Sequence, residues 1–302
     1  MTDINSFDVI IVGGNYSGLA SGMALGRALK KVLIIDGGEP CNRQTPHSHN
    51  FLTHDGDTPT EIAAQANLQV SNYTTVKFFD GLAIAGNKTE NGFEILLATG
   101  ERFAAEKIIF ATGIKDILPG TDGFEACWGI SVLHCPYCHG YEVRQEETGI
   151  LGNGESGFEL ASLISNWTNK LTMFTNGPAA LTDDQNERLK KHNIRIDEKE
   201  IRSLAHTNGY IENIVFRDGT TTNVKVIYAP VIFEQHCKIP EALGCELTED
   251  WYLKIDAFQE TTVKGVYACG DNTSRMRTVA NAIGMGIATG MTVSKRMIFE
   301  HF

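Results

Sequence analysis

The chain has 302 residues, 42% hydrophobic and 21% charged, which is the composition of an ordinary globular protein and excludes a disordered or collagenous one. A single core stops growing at ~250–300 residues, so two domains are expected. The net charge of −11 excludes a nucleic-acid partner, because a phosphate backbone is held by a basic face.

The N-terminus, "MTDINSFDVIIVGG", carries no basic region ahead of its apolar stretch, so it reads as a first strand and not as a signal peptide. No apolar run approaches the ~18 residues of a membrane span, and a cytoplasmic protein is expected. The segment "FDVIIVGGNYSGLASGMALGRALKKVLIID" then runs strand, glycine turn, small-residue helix, strand and terminal acid, the order of a dinucleotide-binding unit. Gly13 is expected to make the tight turn and Gly18 to let the helix close on the strand. Asp36 is placed to accept from a ribose. Asn15 stands where the motif's middle glycine belongs, directly after Gly14.

His47, His49 and His54 then cluster after Cys41 in a polar Pro-containing loop and are candidates to line a substrate entry. Beyond it, "TTVKFFDGLAIAGNKTENGFEILLATGERFAAEKIIFATG" alternates short β-rich runs with Asn-Gly and Thr-Gly turns, which predicts an antiparallel meander returning to a parallel strand. That strand ends in Ala111, Thr112 and Gly113, where the backbone is expected to pass close to something.

Next comes "HCPYCHGYE", His134 to Glu142. Alone it fits haem attachment, a zinc site or a redox disulfide. Haem attachment takes place outside the cytoplasm, and the chain shows no export signal. A closed zinc site wants four ligands, and no second Cys-x-x-Cys or spaced His pair appears. Pro136 suits a first helical position, and a cysteine at the helix cap faces unsatisfied N–H groups that favour its thiolate. The other cysteines, 41, 127, 237, 245 and 269, read as small buried apolar side chains.

A second fingerprint, "TGILGNGESGFELASLISNWTNKLTMFTNG", has all three glycines, Gly152, Gly154 and Gly157. Thr175 falls where Asp36 stands in the first copy, and Asn176 follows it. No Lys or Arg occurs from there until Arg188, so a 2′-phosphate has no obvious receptor; Lys190, Lys191 and Arg195 are the next cations. "TDDQNERLKKH" predicts an exposed helix capped by Thr182, and "DEKE", Asp197 to Glu200, a solvated turn or helix face. Near the end, "KGVYACGDNTSRMRTVANAIGMGIATGMTVSKRM" predicts a strand ending at Gly270 and Asp271, then a small-residue helix.

Taken together, the first fingerprint, Ala-Thr-Gly, Cys-x-x-Cys, the second fingerprint and "GVYACGD" resemble, in order and spacing, the low-molecular-weight thioredoxin reductases, FAD-dependent pyridine nucleotide-disulfide oxidoreductases. The resemblance covers nearly the whole chain. It implies an α/β fold of two Rossmann-like domains of three-layer ββα type: a discontinuous FAD domain, 1–116 and 237–302, and an NAD(P)-binding-like domain, 117–236, carrying the cysteine pair. It implies FAD contacts from Gly13, Gly14, Asn15, Gly18, Asp36, Ala111, Thr112, Gly113, Gly270 and Asp271, with Asp271 on the ribityl chain. Gly152, Gly154, Gly157, Thr175 and Asn176 would form a second nucleotide site. It makes Cys138 the flavin-proximal sulfur and Cys135 the one that exchanges with substrate, and it implies a homodimer.

Two departures matter. The family's His-Arg-Arg for NADPH is replaced by "FTNG", and the usual aspartate after the second cysteine by His139, a candidate acid–base group. Together with "PCNRQTPHSHNFLTHDG", these are similar to the branch that includes dithiol oxidases of gliotoxin-type and holomycin-type products, in which electrons run from dithiol to flavin to oxygen and NADPH is not required. The expected function is therefore a dithiol/disulfide oxidoreductase, on a small dithiol or disulfide or a thioredoxin-like protein. The alternatives are an NAD(P)H-dependent thioredoxin-disulfide reductase and a non-catalytic flavin-bound thiol sensor. No metal is expected.

Overall fold

The computed structural model describes residues 5–302. The chain divides into two units: one gathers the chain up to Arg43 with Phe51–Lys115 and Phe233–Phe302, the other Gln44–Asn50 with Asp116–Ile232.

The first unit opens with β1 (Asn5–Val12), α1 (Tyr16–Arg27) and β2 (Val32–Asp36). Val9, Ile10 and Ile11 of β1 and Val32 to Ile35 of β2 are buried, as in parallel strands covered on both faces. The two strands pair in parallel, Val9 with Val32 through Val12 with Ile35. Helix α2 (Pro59–Ser71) starts on a capping box between Thr58 and Glu61 with Pro59 at its first position. Strands β3 (Val76–Asp80), β4 (Ala83–Thr89), β5 (Gly92–Leu97) and β6 (Arg102–Phe110) follow, then β7 (Ile114–Ile117). The predicted meander is present: β4, β5 and β6 pair antiparallel, and β6 returns parallel to β1.

The second unit contains α3 (Phe124–Cys127), β8 (Val132–Leu133), α4 (Pro136–His139), β9 (Thr148–Leu151), α5 (Gly154–Ile164), β10 (Leu171–Phe174), α6 (Asp183–Lys191) and β11 (Arg195–Asp197). Strands β12 (Ile201–Thr207), β13 (Tyr210–Phe216) and β14 (Thr221–Asn223) form a separate antiparallel sheet before β15 (Val226–Tyr228). The main sheet has the order β11-β10-β9-β15-β8 with every pairing parallel. Helix α6 is the exposed helix read from the sequence, and Thr182 caps it through a box with Gln185.

The chain re-enters the first unit through β16 (Ile232–Gln235), which pairs with β7, then α7 (Ile239–Ala242), β17 (Val266–Ala268) and α8 (Val279–His301). Strand β6 is long enough to pair with β5 through Arg102–Ala105 and with β17 through Ile108–Phe110. The sheet order is β3-β2-β1-β6-β5-β4, with β17 on β6. Strand β17 ends at Ala268, short of the expected Gly270 and Asp271, and a loop then leads to α8 at Val279. Its small residues serve packing on α1: Ser21 donates to the Gly286 carbonyl at 2.9 Å, and a Cβ at Gly290 would sit 2.6 Å from the Ser21 carbonyl oxygen. No helix among the described residues is long and apolar enough to cross a membrane.

Candidate active site

In the first unit, β1 ends at Val12 and the chain turns at Gly13 with φ +105°. A Cβ at Gly13 would overlap the Ala111 carbonyl, and one at Gly18 would overlap the Gly13 carbonyl, so the first turn of α1 touches the strand end. Asn15 caps α1 by accepting from the Tyr16 N–H at 2.9 Å, and no acid stands in the first turn, which suits an anion there. The Gly14 N–H donates to Oδ1 of Asp36 at 3.1 Å. A cavity of about 630 Å³ opens beside them, lined by Gly14, Asn15, Asp36, Pro40, Asn42 and Arg43 among others. Arg43 is the basic residue of that lining. The sequence reading passed over it, although a lone arginine in the polar loop after β2 is a usable signal.

Ala111 is held by its N–H to the Val12 carbonyl at 2.8 Å. Gly113 has φ +62°, and no described protein atom lies within 4 Å of a Cβ built there. Gly270 has φ +90°, and its Cβ would stand 2.7 Å from Ser17 Oγ. Asp271 Oδ2 lies 3.9 Å from Arg277 Nε and 4.0 Å from Cys41 Sγ. Cys41 and Cys237 are half-buried, unlike the fully buried Cys127, Cys245 and Cys269.

Asn272, which the sequence reading also missed, is fully buried. Its amide donates to the Phe110 carbonyl at 2.9 Å and Thr112 Oγ1 at 3.3 Å, while its Oδ1 is buried without a hydrogen-bond partner. Glycine turns, an acid at a strand end, an arginine in the cavity lining and a buried open acceptor are what a flavin dinucleotide requires, and these residues fit it.

The second fingerprint differs. Asn153 Oδ1 accepts from the N–H groups of Gly154 and Ala180, each at 2.8 Å, and its Nδ2 donates to the Pro178 carbonyl at 2.9 Å. Gly152 and Gly157 are in contact, a Cβ at Gly157 falling 2.7 Å from the Gly152 carbonyl carbon. Thr175 Oγ1 donates to the Gly177 carbonyl at 2.6 Å, and Asn176 Oδ1 accepts from the Ile201 N–H at 2.7 Å. Glu198, in the predicted solvated turn, accepts from the Ala179 N–H at 2.7 Å. Glu155 occupies the first turn of α5.

The cations that follow in sequence lie on α6, on β11 and just before β12. Arg188 lies over the Phe158 ring at 4.8 Å, and Lys190 and Lys191 are in the last turn of α6. Arg195, at the opening of β11, is 3.9 Å from Glu147, and Lys199 donates to Thr220 at 3.0 Å.

The cysteine pair lies in the same unit. Cys135 is the N-cap of α4, Pro136 its first residue, and Cys135 and Cys138 are joined as a disulfide with their Cα atoms 5.3 Å apart. Each sulfur is therefore bonded to the other and is not a thiolate ligand. The short helix is pinned from behind: a Cβ at Gly140 would sit 2.8 Å from the Trp167 ring, and Tyr137 meets that ring edge-on at 5.5 Å. Tyr137 and Tyr141 are exposed on the outer side. His134 stacks on Trp128 at 5.7 Å, and Trp128 Nε1 donates to Asp116 at 3.3 Å.

Burial first, and then the positive charge His49 would carry, pushes the His139 imidazole down to about 4. His139 is thus neutral near pH 7 and has a lone pair available beside the disulfide. The Gln44–Asn50 segment belongs to this unit, and His49 Nδ1 lies 3.7 Å from Glu142 Oε1. His54 does not join it: in the first unit it sits 2.8 Å from Asp57.

Residues 7–286 match the family model described as pyridine nucleotide-disulphide oxidoreductase. The chain is 28% identical to a thioredoxin reductase, tcpT, of Claviceps purpurea over 99% of this chain and 97% of that protein. It is 28% identical to the thioredoxin reductase aclD of Aspergillus oryzae, with 97% of each covered. Among solved structures, an oxidoreductase from Agrobacterium tumefaciens superposes with a TM-score of 0.91 at 33% identity, covering 97% of this chain and 99% of that one. HlmI superposes with a TM-score of 0.92 at 27% identity, covering 98% and 94%.

Proposed function

Because the chain belongs to the pyridine nucleotide-disulphide oxidoreductase family, an FAD-dependent oxidoreductase acting on sulfur groups, we propose that it works as a dithiol oxidase, closing a disulfide in a small dithiol at Cys135 and Cys138. The observation that carries this direction is the second glycine loop: Thr175 Oγ1 and Asn176 Oδ1 are already hydrogen-bonded to Gly177 and Ile201, Glu155 occupies the first turn of α5, and Glu198 accepts from Ala179, an arrangement that offers a nucleotide phosphate acids and no cation.

Gly13, Gly14, Asn15, Gly18, Asp36, Ala111, Thr112, Gly113, Gly270 and Asp271 would hold FAD, with Arg43 and Asn272 in support. When bound, FAD supplies the two-electron acceptor that returns the cysteine pair to a disulfide and passes the electrons to oxygen. The protein's own part is thiol exchange. A substrate thiol loses its proton to the neutral His139, its sulfur bonds to Cys135, and Cys138 leaves with the electron pair of the broken S–S bond. The second substrate thiol then attacks its own sulfur now joined to Cys135, forming the product disulfide and leaving two reduced cysteines. Unsatisfied N–H groups of the first turn of α4 favour the thiolate at Cys135. Exposed Tyr137 and Tyr141 offer faces for the substrate beside the pair.

A homodimer belongs to the same proposal, and α8 supports it by exposing Ile287, Met291 and Ile298 along one side. The deciding experiment mixes the FAD-loaded protein anaerobically with NADPH, NADH and dithiothreitol in turn while flavin absorbance is recorded. Bleaching by the dithiol alone, followed by peroxide on admitting air, is expected. Rapid bleaching by NADPH without reaction toward the dithiol would overturn the oxidase in favour of a reductase.

A further inference from the structure

The unit that carries the disulfide also contains a histidine from far away in sequence, His49. The Gln44–Asn50 segment follows the first β-α-β unit, yet it groups with the disulfide-bearing unit. It lies against Gly129, whose left-handed turn (φ +76°) leaves the glycine's open side 3.1 Å from Gln44 Nε2 and Thr45 Oγ1. This brings His49 close enough to His139 for their charges to repel, with the Glu142 carboxylate 3.7 Å from His49 Nδ1. The His47 ring is 6.4 Å from that of His49. The Tyr228 phenol, held protonated by burial and by the Glu142 charge, is a further group at this carboxylate.

We propose that His49, paired with Glu142, is the positioning residue through which His139 delivers to solvent the protons that thiol exchange releases. The inference rests on the dithiol oxidase proposed above. Oxidation of one dithiol removes two electrons, which go to the cysteine pair, and two protons, which must leave the site. His139, pushed down to about 4, holds an accepted proton only weakly, so the proton needs a second acceptor. His49 Nδ1 faces the Glu142 carboxylate, three residues on from His139 in the same unit. The separation of 3.7 Å suits an ion pair or a bridging water. Exposure also rises outward along the pair, from 19% for the His49 side chain to 38% for Glu142, which gives the proton a direction.

The test uses the FAD-loaded protein and dithiothreitol as the dithiol, with anaerobic flavin bleaching followed by stopped flow at neutral pH. His49→Ala is expected to slow bleaching at least ~10-fold, and added imidazole to restore a large part of the rate, since a general acid–base relay contributes on this scale. Glu142→Gln, an exposed change of charge without change of shape that guards against misfolding, is expected to slow it about threefold or more. His49→Ala rates within about twofold of the wild type, or a slowed rate that imidazole does not move, overturn the relay and leave the oxidase standing. Failure of the wild type to bleach overturns both.

Discussion

The Gly14 N–H donates to Asp36 Oδ1 across 3.1 Å, and a Cβ at Gly14 would come within 2.7 Å of the Asp36 Cβ. One carboxylate oxygen is thereby committed to the glycine turn, and in the proposed flavin site the other would accept from a ribose hydroxyl. Asp36→Asn keeps the size but exchanges a charged acceptor for a neutral one, and Asp36→Ala removes both bonds. We expect FAD affinity to fall about 10-fold for Asp36→Asn and more than that for Asp36→Ala, as hydrogen bonds to charged groups are worth roughly 1.5–3 kcal/mol. Titration of apoprotein with FAD, followed by fluorescence, measures it; unchanged affinity in Asp36→Ala would remove Asp36 from the site.

Gly13 and Gly38 separate strain from overlap. Both have positive φ, +105° and +78°, but a Cβ at Gly38 meets nothing within 4 Å, whereas one at Gly13 overlaps the Ala111 carbonyl. Gly38→Ala should cost about 1–2 kcal/mol of stability, the penalty of a left-handed alanine. Gly13→Ala should cost several times as much and abolish flavin retention. Chemical denaturation of the two variants side by side provides the comparison.

The parts of this chain that were legible in sequence are those where chemistry and backbone geometry coincide. Gly13, Gly18 and Asp36 announce a β-α-β unit because few other residues permit that turn, and Cys135-Pro136 announces a capped helix for the same reason. The meander was legible from its Asn-Gly and Thr-Gly turns. What was not legible depends on distant partners. Nothing local in Gln44–Asn50 says that it leaves the unit of its neighbours, and Asn272 gains its meaning only from Phe110 and Thr112, which β6 carries to it. At Gly113 a left-handed φ and open space occur together, two uses of glycine that sequence cannot separate.

The second glycine loop predicts poor discrimination between nucleotides. With Thr175 committed to Gly177, Asn176 to Ile201 and Glu198 beside Ala179, a 2′-phosphate gains no partner and meets an acid. Flavin reduction by NADPH should be no faster than by NADH, and both should be at least ~100-fold slower than by dithiothreitol, the scale on which an unpaired buried charge is rejected. Steady-state rates with the three reductants decide it, and a preference of NADPH over NADH beyond about 10-fold would mean that a cation reaches the loop after all.

His139 should leave a mark on acid stability. Its folded value of about 4 lies below the ordinary 6.5, so between those values the unfolded chain binds a proton there that the folded chain does not. Stability contributed by keeping this imidazole neutral is fully present above pH ~6.5 and is lost as the pH falls toward ~4, for a total of roughly 3 kcal/mol. Below that window both states are protonated and the slope ends. His139→Gln has no such proton to bind, so its urea midpoint should change less than the wild type's between pH 7 and pH 4.5. The comparison also bears on mechanism, because the burial that costs stability in acid is what keeps the imidazole free to accept a thiol proton at neutral pH. Equal acid losses in the two proteins would place His139 in contact with solvent and remove the physical basis for its role as a base.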